Sequence, residues 1–159
     1  LEKFDEIVLK NEPSELIDPT ETVNMVGDVA YTPVAIISVD RIDLKVSVLS
    51  EWSYDLLDIS VNKFSGPEPN EPGNFIVIGH NYINDAHFGN LHLLKVGDTI
   101  DLTDLKGRTL TYEVYEVLII KPTEVDKLET KDVRSLTLVT CDKNNAYRLV
   151  IKSKAKNSL

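Results

Sequence analysis

The sequence predicts a mainly β fold, closed or nearly closed into a barrel and carrying a few short helices. Three features point there: seven or eight segments of strand length rich in Val, Ile and Leu, a turn-forming Lys106-Gly107-Arg108 between two of them, and few stretches with helical spacing. The 159 residues suffice for one sizeable core, because a chain near 150 residues buries roughly two-thirds of its unfolded surface on folding. Hydrophobic residues at 42% and charged residues at 27% match folded rather than disordered chains.

Taken in order, residues 1–30 are acidic and poorly periodic, with Pro13 and Pro19 as breakers, and read as a loose arm or short helix ahead of a barrel domain over 31–159. Residues 34–39 and 42–49 read as strands, the second alternating in places with Asp43, Lys45 and Ser47. Trp52, Leu56, Ile59 and Lys63 fall at helical spacing, so 52–64 reads as a short helix, ended by Ser65, Gly66, Pro67, Glu68, Pro69 and later Pro72 and Gly73. The strand 75–78 then delivers Gly79 and His80 to its end, and 88–94 resumes helical spacing, with Phe88, Leu91 and Leu94 as its packing face. Segments 99–105 and 109–120 flank the Lys106 turn as a hairpin. A polar connection over 122–134 leads to the strands 135–141 and 147–155.

Composition excludes several function classes. Seventeen basic against twenty-six acidic residues give a formal charge of -9, and no Lys/Arg cluster is dense enough to follow a phosphate backbone, so nucleic acid is not an expected partner. The longest apolar runs, 75–78 and 117–120, are far short of the roughly 18 residues that span a bilayer and read as core strands. A chain that begins at Leu1 is expected to be the soluble part of a longer protein whose targeting segment or anchor precedes it. There is no phosphate-binding loop, dinucleotide fingerprint or GxSxG elbow, and the carboxylates are scattered as on a solvated surface.

Three residues at strand ends are candidates for chemistry, although an isolated Arg is more often a solvated edge charge and an isolated His more often structural. Cys141, the single cysteine, closes an apolar strand just before the polar turn 142–145; a lone buried thiol is otherwise a small hydrophobe. Arg148 opens the next strand, so a hairpin-like connection would set a guanidinium beside the thiol, favouring thiolate and holding an oxyanion. His80 follows Gly79, whose backbone freedom suits a placed, loop-exposed group. Sulfur attacks a carbonyl, imidazole protonates the leaving amine and deprotonates the incoming one, and guanidinium stabilises developing charge. His87 and His92 complete a group of three histidines, but separations of seven and five residues and the lack of a second cysteine do not suit zinc; both are expected on outward sides of the 88–94 helix.

The string TLVTC at 137–141 resembles the TLxTC signature of the sortases. NFIVIGHN at 74–81 looks like that family's strand with the catalytic His, YRLVIKSKA at 147–155 like its last strand with the Arg, and VGDTIDLTDLKGRTLTYEV at 96–114 like the strand pair before the signature. The order His, Cys, Arg and the sixty residues between His80 and Cys141 also agree. The resemblance covers about residues 33–155. It implies an eight-stranded sortase barrel, with Cys141 as nucleophile, His80 as general acid and base, Arg148 as electrostatic stabiliser, and Thr140 supporting substrate or oxyanion.

The substrate it implies is an LPXTG-like sorting signal on surface proteins, transferred through a Cys thioester to an amine of a peptidoglycan precursor, or to a lysine in pilin-type members. It also implies an enzyme held by an N-terminal anchor on the outer face of a Gram-positive plasma membrane. GHN followed by Phe-Gly-x-Leu is similar to class B sortases, whereas the short connection from Ile120 to Ser135 lacks their helical insertion and the length is like classes A and D. Asp18-Pro19 is followed by Thr20, unlike the aromatic lid of class C. No cofactor is expected; calcium serves some class A members, and Glu124, Asp126 and Glu129 lie in the corresponding connection but read as surface charge. Two alternatives accompany the transpeptidase: a hydrolase using the same residues with water as acceptor, and a non-catalytic β-barrel module with Cys141 buried and inert.

Overall fold

A computed structural model describes residues 24–26, 29–80, 87–141 and 147–156. Along the described residues run β1 (Asn24–Val26), β2 (Val29–Tyr31), β3 (Pro33–Val39), β4 (Leu44–Leu49), α1 (Tyr54–Ile59), β5 (Val61–Ser65), β6 (Gly73–His80), β7 (Thr99–Asp104), β8 (Thr109–Ile120), β9 (Arg134–Cys141) and β10 (Arg148–Ala155). Strands β1 and β2 form a separate ribbon; the other eight close into a barrel in the order β10-β8-β7-β3-β4-β5-β6-β9. Two of the pairings are parallel, β4 with β5 and β6 with β9. The sequence-based expectation of an eight-stranded barrel with few helices holds.

Alternation along the strands builds two layers. Ile37, Phe75, Val77, Leu136, Leu138 and Ile151 point into the barrel and pack as its core. The residues between them, Ile76, Ile78, Val139 and Val150, form an outer cluster with Leu57 of α1 and Leu128 of the connection between β8 and β9. Strands β6, β9 and β10 are therefore buried on both faces, which is why their sequences are near-continuous apolar runs. Asn74 fastens the connection to this outer face: its Nδ2 donates to the Leu128 carbonyl at 2.9 Å, and its Oδ1 accepts from Thr137 Oγ1 at 2.8 Å. Lys152 adds a bond from Nζ to the Glu129 carbonyl at 2.8 Å.

At the far end of β6 from His80, the loop before Gly73 is clamped to the β7–β8 hairpin. Asn70, buried and at φ 67°, donates from Nδ2 to the carbonyls of Leu102 and Arg108 at 3.0 and 3.2 Å and to Asp104 Oδ2 at 3.2 Å. Its Oδ1 accepts from the Tyr112 hydroxyl at 3.0 Å. Arg108 bridges Asp104 and Glu71. Burial acts to raise the Asp104 carboxyl, but its bonds to Arg108, Asn70 and Lys106 outweigh that and hold it below the ordinary range.

Several sequence expectations need correction. The helix expected over 52–64 ends at Ile59, because Val61 and Asn62 pair with Val48 and Leu49 of β4 and Asn62 Nδ2 bonds the Leu56 and Ser60 carbonyls, capping the helix. Over 88–94 only Leu91–Leu93 is a 3-10 turn. The buried Phe88, Leu91 and Leu94 recur every third residue, the period of a 3-10 rather than an α-helix. The strand expected from 42 begins at Leu44, after a tight turn that leaves Asp43 at φ 52°. Of the run 117–120, Val117 and Ile119 are exposed rather than core, since β8 extends beyond β7, which pairs with it only as far as Glu113. Of the arm expected over 1–30, only β1 and residues 29–30 are described, as strand; the rest lies outside the described residues.

Candidate active site

The parallel pair β6 and β9 runs in unbroken register from Gly73 opposite Arg134 to His80 opposite Cys141. The register is specified by burial on both faces: Phe75 and Val77 meet Leu136 and Leu138 inside, while Ile78 meets Val139 outside. A slip of one residue would exchange these faces. On the other side of β9, antiparallel β10 sets Val150 opposite Val139, and two further steps of that register bring Arg148 level with Cys141. Thr140 ties the two strands at this level, its Oγ1 accepting from the Leu149 amide at 3.0 Å. His80, distant in the chain from the other two, thus lies at one level with Cys141 and Arg148 on three adjacent strands.

His80 ends the outward-facing series Asn74, Ile76, Ile78, and Arg148 continues the outward series of Val150. His80 is only 8% exposed, against the expectation of a loop-exposed group. Its Nε2 lies 3.3 Å from Oδ1 of Asp58, on the last turn of α1. Its carbonyl accepts from the Phe88 amide at 3.0 Å. Gly79 has a different role from the one expected: a Cβ there would sit 2.6 Å from Val61 Cγ1 and 2.7 Å from Phe88 Cδ2, so glycine is needed for close packing. Arg148 is partly buried, and its Nη1 donates to the Tyr147 carbonyl at 3.3 Å.

His87 is buried rather than outward, whereas His92 is exposed. Burial, helped by the nearby charge of His80, lowers the His87 imidazole to about 4, against a raising contribution from its hydrogen bond with the Ile59 backbone. Consecutive residues of α1, Asp58 and Ile59, therefore each engage a histidine. Sequence reading missed Asp58: an exposed aspartate on a helix carries no local mark of what crosses its path. Among the described residues no three His, Cys, Asp or Glu gather closely enough to hold a metal ion. Glu124 is bonded by Lys127 Nζ at 2.6 Å and by the Lys121 amide at 2.7 Å, contacts that hold its carboxyl below the ordinary range.

A histidine and an arginine thus stand on the strands flanking the one that ends in the cysteine, beside an apolar cluster of Ile78, Val139, Val150 and Ile120 on the barrel wall, residue types that suit cysteine acyl transfer. Comparison with known proteins agrees. The Sortase domain model matches residues 37–156. Sortase A of Listeria monocytogenes is 42% identical over 73 residues, 45% of this chain, and the match spans only 32% of that protein. A crystal structure of Listeria monocytogenes sortase A superposes with a TM-score of 0.71 at 28% identity, covering 79% of this chain and 88% of the other. The Sortase D5 transpeptidase of Clostridium perfringens gives a TM-score of 0.71 at 28% identity over 99% of this chain and 96% of the other.

The chain belongs to the sortase family. Among the described residues no helix is long and apolar enough to cross a membrane.

Proposed function

We propose that the protein is a sortase-type cysteine transpeptidase acting on an LPXTG-like sorting signal of surface proteins. The observation that carries the reading is the common level of His80, Cys141 and Arg148 on β6, β9 and β10. The Cys141 thiolate adds to the carbonyl carbon of the signal's threonine, and the Arg148 guanidinium balances the charge on the resulting oxyanion. Collapse breaks the bond to the following residue, whose nitrogen leaves with a proton from His80, and a thioester remains. An incoming amine of a peptidoglycan precursor then gives its proton to His80 while attacking the thioester. A new amide forms and the thiolate is restored.

Thr140 supports this chemistry by holding the Leu149 amide, and with it the start of β10. No cofactor enters the cycle. In this reading the enzyme works at the surface of a Gram-positive cell. Incubation with a panel of LPXTG-like peptides is expected to yield a thioester adduct by intact-protein mass spectrometry, absent in Cys141→Ala, and an amide product once an amine such as triglycine is added. Failure to acylate with any peptide rules out the reading, and free acid as the sole product at every amine concentration makes the protein a hydrolase.

A further inference from the structure

We infer that Asp58 is a positioning residue for His80, holding the imidazole with its proton on Nε2 so that Nδ1 is the nitrogen that exchanges a proton with the reacting groups. The inference rests on the transpeptidase reading and adds to it a residue outside the Cys, His and Arg set. Asp58 Oδ1 lies 3.3 Å from His80 Nε2. An ionised carboxylate only accepts hydrogen bonds, so the shared proton belongs to Nε2, and the neutral imidazole then keeps its basic lone pair on Nδ1. The second ring nitrogen is the natural proton carrier once the first is committed.

The helix that presents Asp58 is fixed at both ends. Ser53 Oγ accepts from the Leu56 amide at 3.0 Å, and the Ser53 amide donates to Asn62 Oδ1 at 3.3 Å. Asn62 Nδ2 in turn bonds the Leu56 and Ser60 carbonyls, both at 3.2 Å. Leu56, Leu57 and Ile59 are buried, leaving the intervening Asp58 directed away from the core with its side chain 66% exposed. A six-residue helix this heavily tied, with one outward carboxylate meeting a 90% buried imidazole, is arranged to orient that ring. Neighbouring His87 is bonded to the backbone of Ile59, the residue that follows Asp58 on the same helix.

The test compares wild type with Asp58→Ala and Asp58→Asn. Alanine at this exposed helical position keeps the fold. For a quenched LPETG peptide, Asp58→Ala is expected to lower kcat for acylation by about fivefold, near the worth of one modest hydrogen bond, with KM within about twofold. Nitrogen-15 NMR at a pH where the imidazole is neutral is expected to show Nε2 protonated in wild type. The Hε2 resonance should be slow to exchange there, still visible in Asp58→Asn, whose amide oxygen accepts, and lost in Asp58→Ala. A neutral wild-type ring protonated on Nδ1 overturns the inference. So does an Asp58→Ala variant in which either the spectrum or kcat stays as in wild type. A wild-type protein that forms no thioester removes the transpeptidase reading itself, and the inference with it, whereas an active wild type with unaltered variants removes the inference alone.

Discussion

At the scale of single residues, the candidate site holds two buried histidines in unlike settings, His80 beside the Asp58 carboxylate and His87 on the Ile59 backbone. His87 is buried, and its imidazole is lowered to about 4 while that of an unfolded chain titrates near 6.5. Between those values the unfolded state binds more protons than the folded one. The associated stability is therefore fully present above about pH 6.5 and is lost as pH falls toward 4. The loss is on the order of 3 kcal/mol at most. Urea unfolding at pH 7.5, 5.5 and 4.5 is expected to show this decline, and His87→Asn is expected to flatten it. Asparagine suits that position because His87 stands at φ 54°, a conformation it tolerates better than most residues. An equal decline in the variant would show that other groups carry the acid sensitivity.

Among the elements, the two ends of β6 are held by unlike means. Near His80 the packing is apolar, with Gly79 letting Phe88 approach Val61. Near Gly73 it is polar, and Asn70 serves four partners from one buried amide. Asn70→Gly keeps the positive φ at little conformational cost but takes the acceptor from the buried Tyr112 hydroxyl and one donor from each of two carbonyls and the Asp104 carboxylate. The expected destabilisation is about 2–4 kcal/mol, read as a lower urea midpoint with an unchanged slope. Acylation measured well below that midpoint should change little, because the clamp lies at the opposite end of β6 from His80. A large loss of rate at full folding would mean that the clamp sets the position of His80 through the strand.

For the whole molecule, closure of the barrel and assembly of the site are one event. The pairing of β6 with β9 closes the ring and also brings His80 level with Cys141. Leu138, completely buried at the centre of that seam, should cost about 2–5 kcal/mol when cut to alanine. The seam joins strands distant in sequence, so Trp52 fluorescence and far-ultraviolet circular dichroism are expected to report one coincident transition at a lower temperature. Separate transitions would show that the two halves of the ring hold together without the seam.

Strand existence was legible because alternation survives in the sequence where one face is buried, as in β7, and a short apolar run marks a strand buried on both, as in β6. Pattern also located Phe88, Leu91 and Leu94 as packing residues while misreading their backbone, since a spacing of three fits a 3-10 turn as well as one side of an α-helix. The extent of α1 was overestimated because nothing local announces that Val61 will pair with Val48. The exposure of Val117 and Ile119 was equally hidden, as it depends on where β7 stops.

By itself the sequence determined the class of fold and the family, and it singled out His80, Cys141 and Arg148 as candidates, because strand alternation and short motifs are properties of neighbouring residues. Only the tertiary structure decided the register that sets those three groups level, the burial that lowers His87, and the meeting of Asp58 with His80. Those depend on contacts between segments that share no local pattern, and such contacts exist only once the ring has closed.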